Sequence, residues 1–425
     1  MAPSPAVHAR RGAAALATAA VLSAAVAPAA FADASPSPAA SGQYGTTDPR
    51  FDGVFRQSLA FVAQHAVGVT PAASAVDWLA RQQCADGGFP SYRADTAKAC
   101  DRRTGEFTDA TAVAVQGLVA AGGRAEAVTK GLDWLKAHQN DDGGWGAFPG
   151  SGSDANSTSI ALGAFASAGQ DPAKAAAKNG KNPVETLLTF QLGCDAKEAE
   201  RGAFSYLKDK DGLRADSLAS AAAGLAVRGK GFLVDPPKKD ADQPLKPLEC
   251  PADAADDADR AGPKDAAGAA EAVDGYLAAT LDKNGGYLLP SMFGDPAKPD
   301  QGTTADAVLV LAAGGHREAA AKPLKWLESK ESGTATWAAK NPGRLAKLVL
   351  ATRAAGGDPR SFGGTDLVSQ LNATGPAADA RPTGHDDEKK KDDDGFGIWW
   401  IVGVFFVASV GAGFLISGRR KKQQL

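Results

Sequence analysis

The stretch Gly131-Leu132-Asp133-Trp134-Leu135…Gln139…Asp142-Gly143-Gly144-Trp145 decides the fold, because the chain contains it more than once. Ala75-Val76-Asp77-Trp78-Leu79…Gln83…Asp86-Gly87-Gly88-Phe89 repeats it with every matched position offset by 56. The frame returns at Val273-Asp274-Gly275-Tyr276-Leu277…Gly285-Gly286-Tyr287 and at Leu324-Lys325-Trp326-Leu327…Glu331…Trp337. A degraded copy runs Leu187-Leu188…Gln191…Gly202-Ala203-Phe204. Copies spaced by roughly 50–60 residues define a repeat architecture, in which each unit needs its neighbours to bury its apolar face.

Each copy predicts two helices. The one before the motif is amphipathic: Thr129 to His138 sets Leu132, Trp134 and Leu135 against Lys130, Lys136 and His138. The one after it is small and apolar on every side, as in Thr111 to Gly122. Its relatives are Ser157 to Gly169, Ser217 to Gly229, Thr303 to Gly314 and Arg344 to Gly356. A helix apolar all round is buried all round. Ser, Thr, Asp or Asn opens most of these stretches and Gly ends them, as helix caps do. An opening helix near 51–66 and a closing one near 364–373 complete about twelve helices in six hairpins. The expected fold is therefore all-α, an (α/α)6 toroid of inner and outer helices, closed rather than left as an open solenoid.

The segment Trp134-Leu135…Gln139…Gly143-Gly144-Trp145-Gly146 resembles the QW repeats of squalene-hopene cyclases and protein prenyltransferase β-subunits. That resemblance spans about residues 50–375 and implies the α/α-toroid superfamily, which also holds complement thioester domains and cobalamin carriers. The motif speaks to fold more than to function. Gln can bond backbone at a helix end, the Gly pair permits a tight turn, and the aromatics stack between repeats. Trp78, Gln83, Phe89, Trp134, Gln139, Trp145, Tyr276, Tyr287, Trp326 and Trp337 are accordingly read as structural repeat positions.

The chain of 425 residues carries 46 basic and 49 acidic side chains. Arg10, Arg11, Arg419, Arg420, Lys421 and Lys422 lie at its two ends, leaving a body of net charge −9. An acidic body argues against nucleic-acid binding. Residues 1–32 have the charged start, apolar middle and Ala30-Phe31-Ala32 close of a signal peptide. Residues 33–50 read as a disordered linker and 51–374 as the toroid, with a polar, mobile insert or flap at 235–264. A charged spacer at 375–395 leads to a transmembrane helix at 396–418 and a basic cytoplasmic tail at 419–425. The expected location is the plasma membrane, single-pass, with the toroid outside. An exported chain with Cys84, Cys100, Cys194 and Cys250 suggests two disulfides; three pairings are open, and Cys84–Cys100 with Cys194–Cys250 is favoured.

The resemblance implies chemistry that the residues do not supply. The D-x-D-D acid of triterpene cyclases, the zinc ligands of prenyltransferases and the thioester GCGEQ are all missing, so the expectation leans away from an enzyme, with no catalytic residue and no metal. What remains is a mouth. Long loops and the N-termini of inner helices share one end of the ring, where unpaired N–H groups gather. Candidate ligand contacts there are Tyr92, Phe107, Thr108, Asp109, Phe148, Asp154, Asn156, Tyr206, Asp216, Tyr287, Phe293, Gln301 and Thr304. Plain N-capping is the competing role for Thr108, Asp109, Asn156 and Asp216. Phe107-Thr108-Asp109-Ala110-Thr111-Ala112-Val113-Ala114 resembles the D-T-x-A-x-A-x-L helix openings of transcobalamin-like carriers. That makes a corrinoid one candidate among bulky amphipathic ligands, with no other cofactor expected, and a transporter or lid protein a candidate partner. The alternatives are an extracellular enzyme of terpene-cyclase, prenyltransferase or glycan-acting type with an unrecognised acid, and a surface docking scaffold.

Overall fold

The computed structural model describes residues 42–101, 105–174, 180–238, 242–250, 262–291 and 294–377. The expected signal peptide, transmembrane span and basic tail lie outside these residues, as do most of the charged spacer and Phe293. Among the described residues no helix is long and apolar enough to cross a membrane.

Thirteen α-helices and no named strand are present among the described residues. Six are inner: α1 (Gly53–Ala66), α3 (Thr108–Ala121), α5 (Ala155–Ser167), α7 (Ser217–Ala226), α9 (Gln301–Ala313) and α12 (Pro342–Ala354). They alternate with six outer ones: α2 (Ala73–Gln82), α4 (Ala125–Ala137), α6 (Pro183–Leu188), α8 (Ala266–Lys283), α10 (Arg317–Glu328) and α13 (Leu367–Asn372). The inner helices pack in order, and α12 returns to α1, so the ring is closed. The thirteenth helix, α11 (Thr334–Ala338), is one short turn ahead of α12. Asp154, Asp216, Asp300 and Asn341 cap four inner helices, each accepting the backbone N–H three residues on.

The repeat motif closes four of the outer-to-inner connections by one device. Gly87, Gly143, Gly202 and Gly286 have φ of +105°, +92°, +83° and +105°. Gly87 and Gly202 abut the backbone carbonyls of Lys130 and Ala272 on the next outer helix, where a β-carbon would collide. The Gln83 side-chain amide donates to Gly87 O at 3.0 Å and Ala127 O at 2.9 Å. Gln191 does the same to Gly202 O and Ala269 O, both at 3.0 Å. An inner-helix hydroxyl then receives the N–H two residues beyond the positive-φ glycine: Phe89 to Thr111, Trp145 to Thr158, Phe204 to Ser220 and Leu288 to Thr304.

That device corrects two positions. Leu288, not Tyr287, matches Phe89 and Trp145, because the third copy carries one extra residue before its positive-φ glycine. Leu288 is buried, and Tyr287 stacks on Trp326 with centroids 5.0 Å apart. Trp337 lies in α11, half-buried beside the Arg344 guanidinium at 5.1 Å, not in a turn equivalent to that of Trp145.

The linker expected at 33–50 is corrected over its last residues, since 42–50 belong to the fold. Tyr44 is fully buried, donates its hydroxyl to Gln64 at 3.1 Å and meets the Phe61 ring edge-on. Gly45 N–H donates to Thr374 O at 2.7 Å, so residues 42–45 clasp the opening and closing ends of the ring. One aromatic anchors a segment whose average composition is polar.

The described residues of the insert pack against the ring. The chain that leads into them, residues 227–234, leaves the C-terminal end of α7. Gly231 and Phe232 enter the ring, where Phe232 N–H donates to the Gln116 side chain at 3.0 Å. Arg353 then holds Val234 O at 3.0 Å and Asp235 at 3.1 Å. Gln243 bonds the α9–α10 turn, Pro247 lies against Gly275 of α8, and Cys250 joins Cys194. The segment is a strap along one side of the ring.

Both favoured disulfides are present, with Cα–Cα separations of 5.7 Å for Cys84–Cys100 and 5.6 Å for Cys194–Cys250. The second closes a loop of 56 residues, so its removal lets the unfolded chain gain more freedom. The double variant Cys194→Ser with Cys250→Ser is expected to lose about 4 kcal/mol of stability, against about 3 for the Cys84/Cys100 pair. Urea unfolding of the two variants checks the order.

Candidate functional site

The inner helices leave a cavity of about 210 Å³ on the ring axis. All six line it. Asp109, Asn156 and Leu218 are each the second residue of α3, α5 and α7, and form its mouth. Phe55, Ile160, Ala222, Asp306 and Lys347 form its waist, and Leu225, Gly163 and Gln116 its lower wall. Lys230-Gly231-Phe232 closes the far end. Gly231 is packed so closely on Gln116 and Ser167 that a side chain there would displace them.

The charges are unevenly matched. Asp306 on α9 pairs with Lys347 on α12, yet burial outweighs the ammonium and raises the Asp306 pKa. Asp109 has no cationic partner among the described residues. Burial raises its pKa, offset in part by the Ala110 N–H donated to Oδ1 at 2.7 Å. Asp154 is also raised, first by burial and further by Asp109, against its helix-cap bonds. Tyr206 is pushed to about 12, by burial first and then by the fields of Asp154, Asp109 and Asp216. Three carboxyl groups, Asp109, Asp154 and Asp216, thus surround Tyr206 near the mouth.

Of the thirteen mouth candidates, Asp109 and Asn156 line the cavity, and Tyr206 lies within electrostatic range of Asp109. The other described ones are occupied elsewhere. Thr108 donates to Gly146 O at 2.6 Å, Gln301 to Ser332 O at 2.7 Å, and Thr304 receives Leu288 N–H. Asp154 and Asp216 cap helices. Tyr92 stacks on Trp78 of an outer helix at 6.3 Å, Tyr287 stacks on Trp326, and Phe148 is exposed. Phe107 takes the capping position of α3 and contributes its backbone.

Sequence reasoning overlooked Asp306 and Lys347, although each is a lone charge inside an apolar inner stretch. It also overlooked the Lys230-Gly231-Phe232 floor, which has no motif. Cys84, Cys100 and Glu106 are near enough to offer metal-ligand atoms, but both cysteine sulfurs are bonded to each other.

Residues 55–172 match the family model of the squalene-hopene cyclase C-terminal domain. No curated protein matches the chain. Among solved structures, a protein from Actinoplanes is similar at 15% identity and a TM-score of 0.45, over 75% of this chain and 94% of that one. A variant of the type II terpene cyclase MstE from Scytonema, solved with geranylgeranyl dihydroxybenzoate, is similar at 10% identity and a TM-score of 0.42, over 74% of this chain and 91% of that one. The alternating helices form an α/α toroid, and residues 55–172 of it are similar to the squalene-hopene cyclase C-terminal domain. The matched span covers the first two motif copies, which keep the Gln, the Gly pair and both aromatics intact.

Proposed function

We propose that this toroid is a ligand-binding protein, exported and held at the cell surface, whose lumen takes a small amphipathic molecule. The observation that carries the reading is the lumen itself: mostly hydrocarbon at waist and lower wall apart from the Asp306–Lys347 pair and Gln116, polar at the mouth, and floored by residues 230–232. Such a layout is the general form of a ligand pocket. Its volume of about 210 Å³ lies below the roughly 300–1,000 Å³ of drug-sized pockets, which argues for a ligand smaller than a corrinoid. Two disulfides support the exported location.

A second reading keeps the enzyme. A carboxyl that burial biases toward its protonated form, facing apolar walls, has the makings of a general acid, and Asp109 is such a group. The small lumen would restrict such an acid to a short substrate.

The lumen reading predicts that benzyl alcohol, as a small amphipathic probe, raises the melting temperature of the protein saturably. Ala222→Phe, which places a ring in the waist, should abolish that response. Equal responses in both proteins would remove the lumen as the site.

A further inference from the structure

We infer that the lumen ligand carries an ammonium group, held at the mouth by Asp109 with Asn156 beside it, and lays its apolar part toward Phe232. The inference rests on the reading that the lumen is a ligand site, and it names the chemical class that site selects.

The argument is one of unmatched charge. Two carboxylates face the lumen. Asp306 is already paired with Lys347. Asp109 accepts only backbone N–H, and no described cation pairs with it. Its neighbours at the mouth add more negative charge, since Asp154 and Asp216 aim oxygens at Ser157 N–H (2.7 Å) and Ala219 N–H (2.8 Å) to cap their helices. Lys230, the other lysine lining the cavity, is exposed and belongs to the segment at the opposite end.

A half-buried carboxylate without a partner is costly, and a ligand cation relieves that cost where a neutral donor only shares it. Asn156 occupies the same second position on the next inner helix, so its amide oxygen is a second acceptor for a group with three N–H donors. Beside them Leu218, and below them Ile160, Ala222, Leu225 and Phe232, present hydrocarbon. A primary amine on a small apolar body meets all of these surfaces. An anion of the same shape would face Asp109, with Asp154 and Asp216 close behind the mouth.

Benzylamine, benzyl alcohol and benzoate are close in shape and differ in charge. Titration of the full chain with each by calorimetry at neutral pH tests the inference. Benzylamine is expected to bind about tenfold to a hundredfold more tightly than benzyl alcohol, the range of a charge-assisted hydrogen bond, and benzoate not at all. Asp109→Asn should bring benzylamine down to the level of benzyl alcohol in the same variant. Asn156→Asp should tighten benzylamine further, which keeps the test decisive if the first variant folds poorly. Binding of the alcohol or the anion as tightly as the amine overturns the ammonium and leaves the lumen reading in place. Binding of none of the three overturns both.

Discussion

Trp145→Ala is expected to lower the unfolding free energy by about 3–5 kcal/mol, the range for truncating a fully buried tryptophan. The ring has no exposure and packs against Phe165, with centroids 6.1 Å apart, in a cluster with Val115, Leu132, Leu135 and Ile160. Its Nε1–H donates to Leu135 O at 2.7 Å, a bond that truncation also removes, leaving that carbonyl only the His138 N–H at 3.3 Å. Because the site joins α4 to α5, the loss falls between two repeats and has little room to relax. Urea unfolding followed by far-ultraviolet circular dichroism measures it. A loss under about 1 kcal/mol would show that the motif aromatic is not what joins the repeats. Trp337→Ala, by contrast, removes a half-buried ring from α11 and should cost less, although the repeat pattern aligns the two residues.

Asp274→Ala is expected to cost about as much, near 3–5 kcal/mol, for an electrostatic reason. Asp274 is fully buried in α8 and pairs with Arg228, which follows α7. It also accepts from His316 Nε2 at 2.8 Å, while His316 Nδ1 faces Gln243 O of the strap at 2.7 Å. Both ring nitrogens of His316 therefore face acceptors, which favours the doubly protonated ring. Burial opposes that charge, but the bonds to Asp274 and Gln243 outweigh it and raise the pKa above 6.5. Removing the carboxylate leaves two cations near a buried site. A raised folded-state pKa contributes stability in full below 6.5 and loses it as pH rises through the folded value. The cost of Asp274→Ala should thus be greatest at pH below 6.5 and shrink as pH rises, which melting temperatures of both proteins across that window would register. A cost that grew with pH would contradict the doubly protonated ring.

Much of the ring was legible because its signals are local. The offset of 56 between Trp78 and Trp134 sets the repeat, and the four cysteines lie where the favoured pairing reaches without rearrangement. The misplacement of Tyr287 has a local cause too: two adjacent glycines, Gly285 and Gly286, both have positive φ, and only packing against Trp326 tells which one is the turn. Averaging over composition hid Tyr44, a single anchor in a polar segment.

The lumen was scarcely legible, for a different reason. Periodicity, caps and turn residues act over a few positions. They were enough to establish that inner and outer helices alternate, where most of them start, and that Gly-Gly turns tie three of the outer helices to the next inner one. They could not say which side of an inner helix faces the axis, since a helix apolar on every face carries no moment to orient it. Packing in three dimensions was needed to show that Asp109 and Asn156 line the cavity while Thr304 and Asp216 do not. It also brought Asp306 to Lys347 across α9 and α12, and Phe232 beneath Gln116, 116 residues earlier in the chain. Those contacts depend on closure of the ring, a property of all six hairpins together and of no one segment.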